Sequence, residues 1–374
     1  MSRTKKVLEF GQCFWQDYIE RSELKNGKLE RLINEDGLHG ITSNPTIFHK
    51  AITGTKDYDG QIKQLAASGK TISEIFQRVT VDDIKDACRI MGKVYRETGG
   101  SDGFVSIEVN PQLAYDTAGT IAEARGYFSA INQPNLMVKV PGTDPGMPAV
   151  RTLIGEGINV NVTLLFSPEY YEKAAQAYIE GLEIAAENGQ DLSKINSVAS
   201  FFLSRIDTQV DKQLDTLLAG GKIDSAKHKS LRGETAIAVA KITYKRFKQL
   251  FFENPRYDAL KKQGAKLQRP LWASTGTKDK AYSDVKYVEP LIGPHTVNTL
   301  PPATLDAFRD HGVAAHTLEN VLEQAPEKLA AVEAVGIDMK KIFQELQSDG
   351  VNLFIKSYTD LLQALEEKAR KLRG

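Results

Sequence analysis

Short apolar runs alternate with longer amphipathic segments along this 374-residue chain, and that alternation constrains the fold more than any other feature. Strands that alternate with helices predict a parallel sheet with helices packed on it. About eight such units fit the chain, the number that closes a (β/α)₈ barrel, the TIM barrel of the α/β class. The candidate strands are residues 14–18, 40–43, 103–109, 137–140, 158–162, 195–199, 270–274 and 285–290, and the helical patterns include 80–97, 114–132, 168–188 and 202–218.

An open, doubly wound sheet is the alternative architecture for the same alternation. Its dinucleotide-binding version carries a Gly-rich turn after the first strand, and no such fingerprint follows residues 14–18. The glycine-containing stretch 99–103 precedes a strand and is typical of a loop. The barrel is therefore the prediction.

The chain is longer than the ~250 residues typical of such a barrel. The excess lies in an N-terminal segment through residue 71, a polar, lysine-rich stretch at about 211–269 and a C-terminal extension at about 318–374. All three have helical patterns, and no low-complexity linker separates them from the strands. We therefore predict one domain, residues 1–374, with additional N-terminal, inserted and C-terminal helices. The extension could cover the barrel or pair with another subunit, so a monomer and a homodimer both remain open.

Composition narrows the classes of partner. Lys+Arg and Asp+Glu number 48 each, so the formal net charge is zero and no extended basic surface for nucleic acid or anionic membrane is expected. The two cysteines, Cys13 and Cys88, have no metal-ligand spacing and form no disulfide framework. The basic N-terminus leads into polar residues rather than a signal-peptide core, and no apolar run approaches a membrane span of ~20 residues. We expect a cytoplasmic protein without a metal.

Lys139 stands inside the apolar run Leu136-Met137-Val138-Lys139-Val140, which Pro141 and Gly142 close. The run is typical of a buried strand, and lysine is rare in such a strand unless it has a partner. Burial disfavours the charged form of a lysine, and a neutral amine is a nucleophile that forms Schiff bases with carbonyls. The alternative is a lysine at a strand end that reaches water or pairs with an acid.

Polar residues recur at the ends of successive candidate strands. In a barrel these carboxyl ends converge on one face, where catalytic residues collect. Taken alone, each residue has an ordinary explanation: an asparagine before a proline caps a helix, and a buried threonine satisfies a hydrogen bond. Their repetition at the same place in successive units favours a site around Lys139. The residues are Asp17, Asn44, Glu108, Asn161, Thr163, Ser200 and Ser274.

These residue types suit aldol chemistry through a Schiff base, which needs an amine, a proton carrier and groups that hold hydroxyls. Asp17 or Glu108 can carry the proton. Arg205, at the start of a helical pattern, and Lys278, in the Gly-containing loop after the seventh strand, can bind an anion, because barrels often bind phosphate at the loops after strands seven and eight. Alternatively, Lys278 belongs to a solvated run of charges with Asp279 and Lys280.

With these residues in place, the sequence resembles the transaldolases over nearly its whole length, from about Trp15 to about Gly312, and it is most similar to the long bacterial subfamily. The motifs that carry the resemblance are Trp15-Gln16-Asp17, Thr42-Ser43-Asn44-Pro45, Val105-Ser106-Ile107-Glu108-Val109, Val138-Lys139-Val140-Pro141, Asn159-Val160-Asn161-Val162-Thr163-Leu164-Leu165-Phe166, Ser200-Phe201-Phe202-Leu203-Ser204-Arg205 and Trp272-Ala273-Ser274-Thr275-Gly276-Thr277-Lys278.

The resemblance implies a class I aldolase barrel without metal or organic cofactor. Its substrates would be sugar phosphates of the pentose phosphate pathway, with a dihydroxyacetone unit passing from a ketose phosphate to an aldose phosphate. Lys139 would form the Schiff base, and Asp17 would take and return the proton of the C4 hydroxyl. Glu108 and Thr163 would position a water that carries protons during carbinolamine dehydration.

The resemblance also implies the binding residues. Asn44, Asn161 and Ser200 would hold hydroxyls of the dihydroxyacetone unit, and Arg205 and Ser274 would bind the phosphate.

Phe202 matches a position where related sugar-phosphate aldolases tend to carry tyrosine, which favours transfer over hydrolytic release. One position departs from the shorter transaldolases, which carry an arginine two residues after the serine that matches Ser274. Here that position is Gly276, and we expect Lys278 to supply the charge. Two alternatives remain: an aldolase that releases free dihydroxyacetone, and a barrel that binds sugar phosphates without chemistry.

Overall fold

The computed structural model describes residues 2–373, and its centre is a closed barrel of eight parallel strands. The strands are joined in sequence order, and β1 completes the ring by pairing with β8. The predicted (β/α)₈ barrel is confirmed, and the open sheet is wrong. The strands are β1 (Gln12–Asp17), β2 (Leu38–Thr42), β3 (Phe104–Glu108), β4 (Leu136–Pro141), β5 (Val160–Leu165), β6 (Ser197–Phe202), β7 (Gln268–Ala273) and β8 (Thr296–Leu300).

The last strand differs from its prediction. Residues 285–290, which are rich in Val and Tyr, form turns and the start of a short 3-10 helix, Glu289–Leu291, while β8 begins at Thr296. Side chains of the turn region, such as Tyr287, are buried against the outside of the barrel, so their apolar character reflects packing rather than a strand. β8 has the sequence Thr-Val-Asn-Thr-Leu, which is too polar to stand out as an apolar run, yet all five residues are buried.

Two other boundaries affect the site. β6 runs Ser197–Phe202 rather than 195–199, so Ser200 lies inside the strand instead of at its end. β7 ends at Ala273, one residue before Ser274. Ser200 therefore belongs to the barrel wall, and Ser274 belongs to the loop that follows β7.

Helices surround the barrel. The four helices predicted at 80–97, 114–132, 168–188 and 202–218 are all present, and their ends agree within a few residues except that the first of them begins earlier, at Ile72. The helices are α1 (Arg3–Lys6), α2 (Arg21–Lys25), α3 (Lys28–Arg31), α4 (Pro45–Gly54), α5 (Asp59–Ala67), α6 (Ile72–Glu97), α7 (Thr117–Ile131), α8 (Gly146–Gly155), α9 (Pro168–Glu187), α10 (Ser204–Ala219), α11 (Ser225–Leu231), α12 (Thr235–Phe252), α13 (Pro255–Lys261), α14 (Pro302–His311), α15 (Ala325–Glu333) and α16 (Met339–Arg373).

The inserted stretch forms α11, α12 and α13 together with the second half of α10. The C-terminal extension ends in α16, a helix of 35 residues that packs against α4, α5, α6 and α10. Its buried residues recur every three or four positions, which is the stripe expected of a helix with one face on a core. Between residues 2 and 373, no helix combines the length and the apolar character that a membrane crossing requires.

The amino ends of the strands carry a buried polar cluster of their own. Cys13, His39 and Asp102 form the one group of three potential metal ligands that converges within the described residues. Arg269 contacts two of them, because its Nη1 lies 3.3 Å from Cys13 Sγ and 3.1 Å from Asp102 Oδ2. Trp15 Nε1 donates to the other oxygen of Asp102 at 2.9 Å. The guanidinium of Arg269 already neutralises the carboxylate of Asp102. We therefore interpret the cluster as an ion-pair network at the amino end of the barrel.

Candidate active site

Most of the residues singled out from sequence line one cavity of about 560 Å³ at the carboxyl ends of the strands. Those on the cavity wall are Asp17, Asn44, Lys139, Ser200, Phe202, Arg205, Ser274 and Lys278. The other three, Glu108, Asn161 and Thr163, are buried on β3 and β5 next to this wall. The fold therefore gathers side chains that are up to about 260 residues apart, as expected for one face of a barrel.

Lys139 is buried beside a carboxylate. Strand pairing sets Glu108, Lys139 and Asn161 side by side on β3, β4 and β5. Lys139 Nζ lies 3.3 Å from Glu108 Oε2 and donates to the carbonyl oxygen of Ser43 at 3.2 Å, with only 4% of the residue exposed. A buried lysine requires such a partner, and here it is an acid rather than water.

The Glu108 carboxylate is held by charge more than by hydrogen bonds. Neither of its oxygens has a hydrogen-bond partner of good geometry among the described residues. Burial raises the pKa of Glu108, and the ammonium of Lys139 opposes that shift. Thr163 Oγ1 is likewise buried without a partner in the described chain. Buried polar atoms are normally satisfied, so both groups are available to water or substrate.

Asp17 stands at the end of β1, at the edge of a chain of hydroxyls. Thr42 Oγ1 donates to Asp17 Oδ1 at 2.7 Å, and Thr299 Oγ1 lies 2.7 Å from Thr42 Oγ1. Since the Thr42 proton is committed to Asp17, the Thr299 hydroxyl must be the donor to Thr42. Burial raises the pKa of Asp17, opposed first by Lys139 and then by Thr42 and Lys278. Asp17 thus has the raised pKa that suits a group exchanging protons.

A second hydrogen-bonded row crosses the interior below the cavity. Ser200 Oγ donates to Asn161 Oδ1 at 2.7 Å, and Asn161 Nδ2 donates to Ser106 Oγ at 3.1 Å. Asn161 is fully buried, so its amide is fixed in orientation by these two partners. The row links β6, β5 and β3 through side chains and holds the Ser200 hydroxyl at the cavity wall.

β5 contains a bulge at the level of Ser200. Val162 pairs with Ala199 and Leu165 with Phe201, so that Thr163 and Leu164 together face a single residue of β6. Leu164 has a φ of 61°, a left-handed conformation that is unfavourable for a branched side chain. Bulges of this kind occur beside active sites, where they redirect a side chain.

Asn44 serves the structure as well as the cavity. Its Oδ1 accepts the backbone N–H of Ile47 at 3.0 Å, which makes it the N-cap of α4, and Pro45 occupies the first position of the helix. The ordinary explanation of this residue, a helix cap, is therefore present. The same side chain also lines the cavity, where its amide Nδ2 has no hydrogen-bond partner among residues 2–373.

Positive charge collects at one end of the cavity. Arg205 lies in the first turn of α10, with its Cζ 5.6 Å from the centre of the Phe202 ring. Lys278 and Lys50 also line the cavity. None of the three cations has a carboxylate within 4.0 Å in the part of the chain that the structure describes. Cations without a close carboxylate, next to a helix N-terminus, favour an anionic ligand.

The polypeptide after β7 brings the hydroxyl of Ser274 to this end. Ser274 has a φ of 54°, and its Oγ lies 2.8 Å from Ser204 Oγ, next to Arg205. Its carbonyl oxygen accepts the N–H of Ser204 at 3.1 Å. The left-handed conformation turns the chain away from the barrel directly after the strand, so the loop that carries Lys278 extends over the cavity.

Three side-chain hydrogen bonds hold that loop against α10 and the inserted stretch. Arg232 Nη2 donates to Asp279 Oδ2 at 2.7 Å, one residue after Lys278. On α10, Asp211 accepts the Tyr282 hydroxyl at 2.7 Å and Asp207 accepts the Tyr287 hydroxyl at 2.9 Å. The segment 279–287 is thus held at three points, two on α10 and one on Arg232 directly after α11.

Several cavity residues were missed by sequence reasoning. Thr42 lies in a motif that was recognised, but only Asn44 was singled out from that motif. Lys50 lies in the middle of α4, outside every motif, and gave no signal. Thr299 was missed because β8 was placed wrongly. Leu353 and Phe354 of α16 also line the cavity, and nothing in an amphipathic tail indicates which of its residues reach a distant site.

Comparison with known proteins agrees with this geometry. The sequence profile of the family described as Transaldolase/Fructose-6-phosphate aldolase matches residues 14–365. A transaldolase of Trichodesmium erythraeum is 47% identical over 371 residues, 98% of this chain and 97% of that protein. Transaldolase 2 of Streptomyces coelicolor and the transaldolase of Thermobifida fusca are each 44% identical over 98% of this chain, and over 97% and 98% of their own lengths. The chain belongs to the transaldolase/fructose-6-phosphate aldolase family.

Proposed function

We propose that this protein is a transaldolase, which transfers a dihydroxyacetone unit from a ketose phosphate to an aldose phosphate through a Schiff base on Lys139. The donor would be fructose 6-phosphate or sedoheptulose 7-phosphate, and the acceptor glyceraldehyde 3-phosphate or erythrose 4-phosphate. One observation supports the proposal above the rest. A buried Lys139–Glu108 pair and Asp17 adjoin a single cavity whose other cations have no carboxylate within 4.0 Å among the described residues.

The first step would be imine formation. Lys139 Nζ, once neutral, attacks the ketone carbon, and the carbinolamine loses its hydroxyl as water when a proton is supplied. Glu108 is the nearest acid to Nζ, and its raised pKa allows it to exchange that proton. Glu108 and Thr163, whose side-chain oxygens have no hydrogen-bond partner in the described part of the chain, would hold the water that carries the proton.

Carbon–carbon cleavage would follow. Asp17 removes the proton of the C4 hydroxyl, the C3–C4 bond breaks, and its electron pair is delocalised into the protonated imine to give an enamine. The aldose phosphate leaves, and the acceptor aldehyde takes its place. The enamine carbon attacks the acceptor carbonyl, Asp17 returns its proton to the new hydroxyl, and water hydrolyses the imine to free Lys139.

Binding would use the remaining side chains. Ser200 and Asn161, fixed by their mutual hydrogen bond, and Asn44 would hold hydroxyls of the dihydroxyacetone unit. Arg205, Ser274 and Lys278 would bind the phosphate, with Lys278 in place of an arginine. Lysine offers a point charge rather than a planar fork, so its contribution would be electrostatic more than geometric.

The family description also names fructose-6-phosphate aldolase, an activity that would share Lys139 and release free dihydroxyacetone. Phe202 separates the two hypotheses, because a phenyl ring provides no hydroxyl to assist release. The test is to incubate the protein with fructose 6-phosphate and follow glyceraldehyde 3-phosphate, with and without erythrose 4-phosphate. Release that requires the acceptor, with sedoheptulose 7-phosphate formed, supports the transaldolase. Release without acceptor identifies an aldolase.

A further inference from the structure

The C-terminal helix α16 crosses the carboxyl end of the barrel. A helix of 35 residues is about 50 Å long, enough to span the barrel mouth. Near its middle, Leu353 and Phe354 line the cavity, and Ser357 Oγ lies 3.0 Å from Thr46 Oγ1 on α4. Further along, Lys368 Nζ donates to the carbonyl oxygens of Ile52 and Thr55 at the end of α4. These contacts fix the part of α16 that follows the cavity to α4.

One side chain of α16 contacts the barrel backbone beside the reacting lysine. Gln347 Nε2 donates to the carbonyl oxygen of Gly142 at 2.9 Å and to that of Leu164 at 3.3 Å. Gly142 follows Lys139 by three residues, and Leu164 follows Thr163. An amide nitrogen carries two hydrogens, and Gln347 commits both of them to these carbonyls.

The two contacted segments are also joined to each other. The backbone N–H of Gly142 donates to the carbonyl oxygen of Thr163 at 2.6 Å. The ends of β4 and β5 and Gln347 therefore form one hydrogen-bonded unit around the β5 bulge. The left-handed conformation of Leu164 is unfavourable by itself, so the bulge depends on such contacts to persist.

The helix reaches this unit because of a glycine. Gly350, one turn after Gln347, is buried, and a Cβ at this position would lie 3.0 Å from Leu164 Cδ2 and 3.7 Å from Arg205 Nη1. Glycine weakens a helix interior, and here it permits close approach to the bulge. Residues three apart share a helix face, so Gln347 and Gly350 act on the same spot.

We propose that Gln347 is a positioning residue for imine formation: by bridging the Gly142 and Leu164 carbonyls, it fixes the bulge that aims Thr163 toward the Lys139 amine. The inference rests on the proposed function, since it assigns Gln347 to a step of that reaction. It also gives the C-terminal extension a catalytic purpose, which is to hold the ends of β4 and β5 in register.

The test measures imine formation directly. Protein and fructose 6-phosphate are mixed, quenched with borohydride at increasing times, and the reduced adduct on Lys139 is followed by mass spectrometry. In Gln347→Met, which keeps the length but removes both donors, we expect trapping and kcat to slow together by about tenfold, the scale of one or two hydrogen bonds. Gln347→Glu, which faces two carbonyls with acceptors only, should be slower still.

Gln344→Met is the matched control, because the same replacement is made one turn earlier at an exposed position of α16. It should trap at the wild-type rate. Gly350→Ala provides a second variant that cannot weaken the helix itself, and we expect it also to slow trapping by crowding Leu164. Thermal unfolding of all variants separates a loss of positioning from a loss of folded protein.

The outcomes distinguish the two proposals. Wild-type trapping together with unaltered trapping in Gln347→Met overturns the positioning role and leaves the transaldolase intact. Slower trapping that matches a fall in folded fraction also overturns it. If the wild-type protein itself forms no adduct, the Schiff-base function fails and the role of Gln347 fails with it.

Discussion

Lys139 and Glu108 face each other on adjacent strands, with Nζ 3.3 Å from Oε2, and neither side chain has appreciable access to solvent. A buried ion pair of this kind is a poor source of stability, because desolvation offsets most of the attraction. Its retention at the head of a cavity lined by Asp17 and Arg205 is better explained by chemistry. The pair keeps an amine and an acid in contact within a buried site.

Replacement of Lys139 should separate activity from stability. In Lys139→Met we expect turnover to fall by roughly 10⁴-fold or more, since loss of a covalent nucleophile is felt on that scale or above. Glu108 would lose its cation, but burial already raises its pKa, so it can bind a proton instead of remaining charged. The fold should therefore survive, with a stability deficit that grows as pH rises above the ordinary carboxyl range. Steady-state assays and thermal melts at pH 5 and pH 8 check both parts.

Asp17→Asn should slow carbon–carbon cleavage by about 10²- to 10⁴-fold, the usual contribution of a general acid–base. The proposed mechanism assigns Asp17 no part in imine formation, so borohydride trapping of the donor should persist. The measurement compares the trapping rate with the rate of aldose phosphate release in single turnovers. Collapse of trapping with cleavage intact would contradict the assigned role.

The same variant carries a prediction for stability. Burial raises the pKa of Asp17, so the folded protein binds this proton more tightly than the unfolded chain does. Wild-type stability therefore falls as pH rises from about 4, the unfolded value, through the raised folded value. Asparagine has no such penalty, so the melting temperature of Asp17→Asn relative to wild type should increase over that window. A constant difference across pH 4–8 would show that Asp17 ionises without cost.

The sequence was sufficient to place the site residues that lie within clearly apolar strands. Lys139 and Glu108 are charged residues within such runs, so their position at the barrel mouth could be inferred from strand order alone. The roles of Asn44 and Ser200 are harder to separate from structure, since the former caps α4 and the latter lies within β6. Each residue has a structural role and also faces the cavity, and sequence alone cannot tell which of these two roles explains its presence.

What sequence could not supply came from packing over long distances. Thr299 lies on a strand too polar to be recognised, and its burial depends on closure of the barrel between β1 and β8. Gln347 contacts Gly142 across 205 residues of sequence, through an ordinary side chain on an amphipathic helix. Neither residue has a local pattern that distinguishes it from a surface position, because its hydrogen-bond partner is brought to it only by the tertiary fold.

The hydroxyl chain that ends on Asp17 gives a smaller, graded effect. Thr299→Val removes the donor to Thr42 while keeping the shape, and the loss of one hydrogen bond of about 1 kcal/mol predicts a roughly fivefold lower kcat. Thr299→Ser keeps the hydroxyl and should retain most activity. Equal kcat values for the valine and serine variants would show that the chain does not influence Asp17.

Lys278 should contribute mainly to phosphate binding, since its charge is only the last of the groups that oppose the rise in the pKa of Asp17. For Lys278→Met we expect the KM for fructose 6-phosphate to rise roughly tenfold, because a charge-assisted contact is worth about 1.5–3 kcal/mol and exposure reduces it. Transfer from unphosphorylated donors should change much less. Lys280→Met, two residues away and outside the cavity wall, is the control. An equal loss with both donor types would indicate a displaced loop rather than a missing charge.

Asp102 supports the barrel from the opposite end and should affect stability alone. Burial by itself would raise its pKa, but the guanidinium of Arg269 and the hydrogen bond with His39 outweigh burial and hold the pKa below the ordinary range. Asp102→Asn leaves Arg269 buried without its partner, for which we expect a loss of about 3–5 kcal/mol in the free energy of unfolding at neutral pH. A depressed pKa gives stability that is present above about pH 4 and lost only as pH falls through the folded value, so the deficit should persist from pH 8 to pH 5 and shrink at lower pH. Denaturant unfolding at several pH values measures this deficit, and kcat per folded molecule should remain at the wild-type level. A variant that lost activity without losing stability would place this network in the reaction, contrary to its position at the amino end of the barrel.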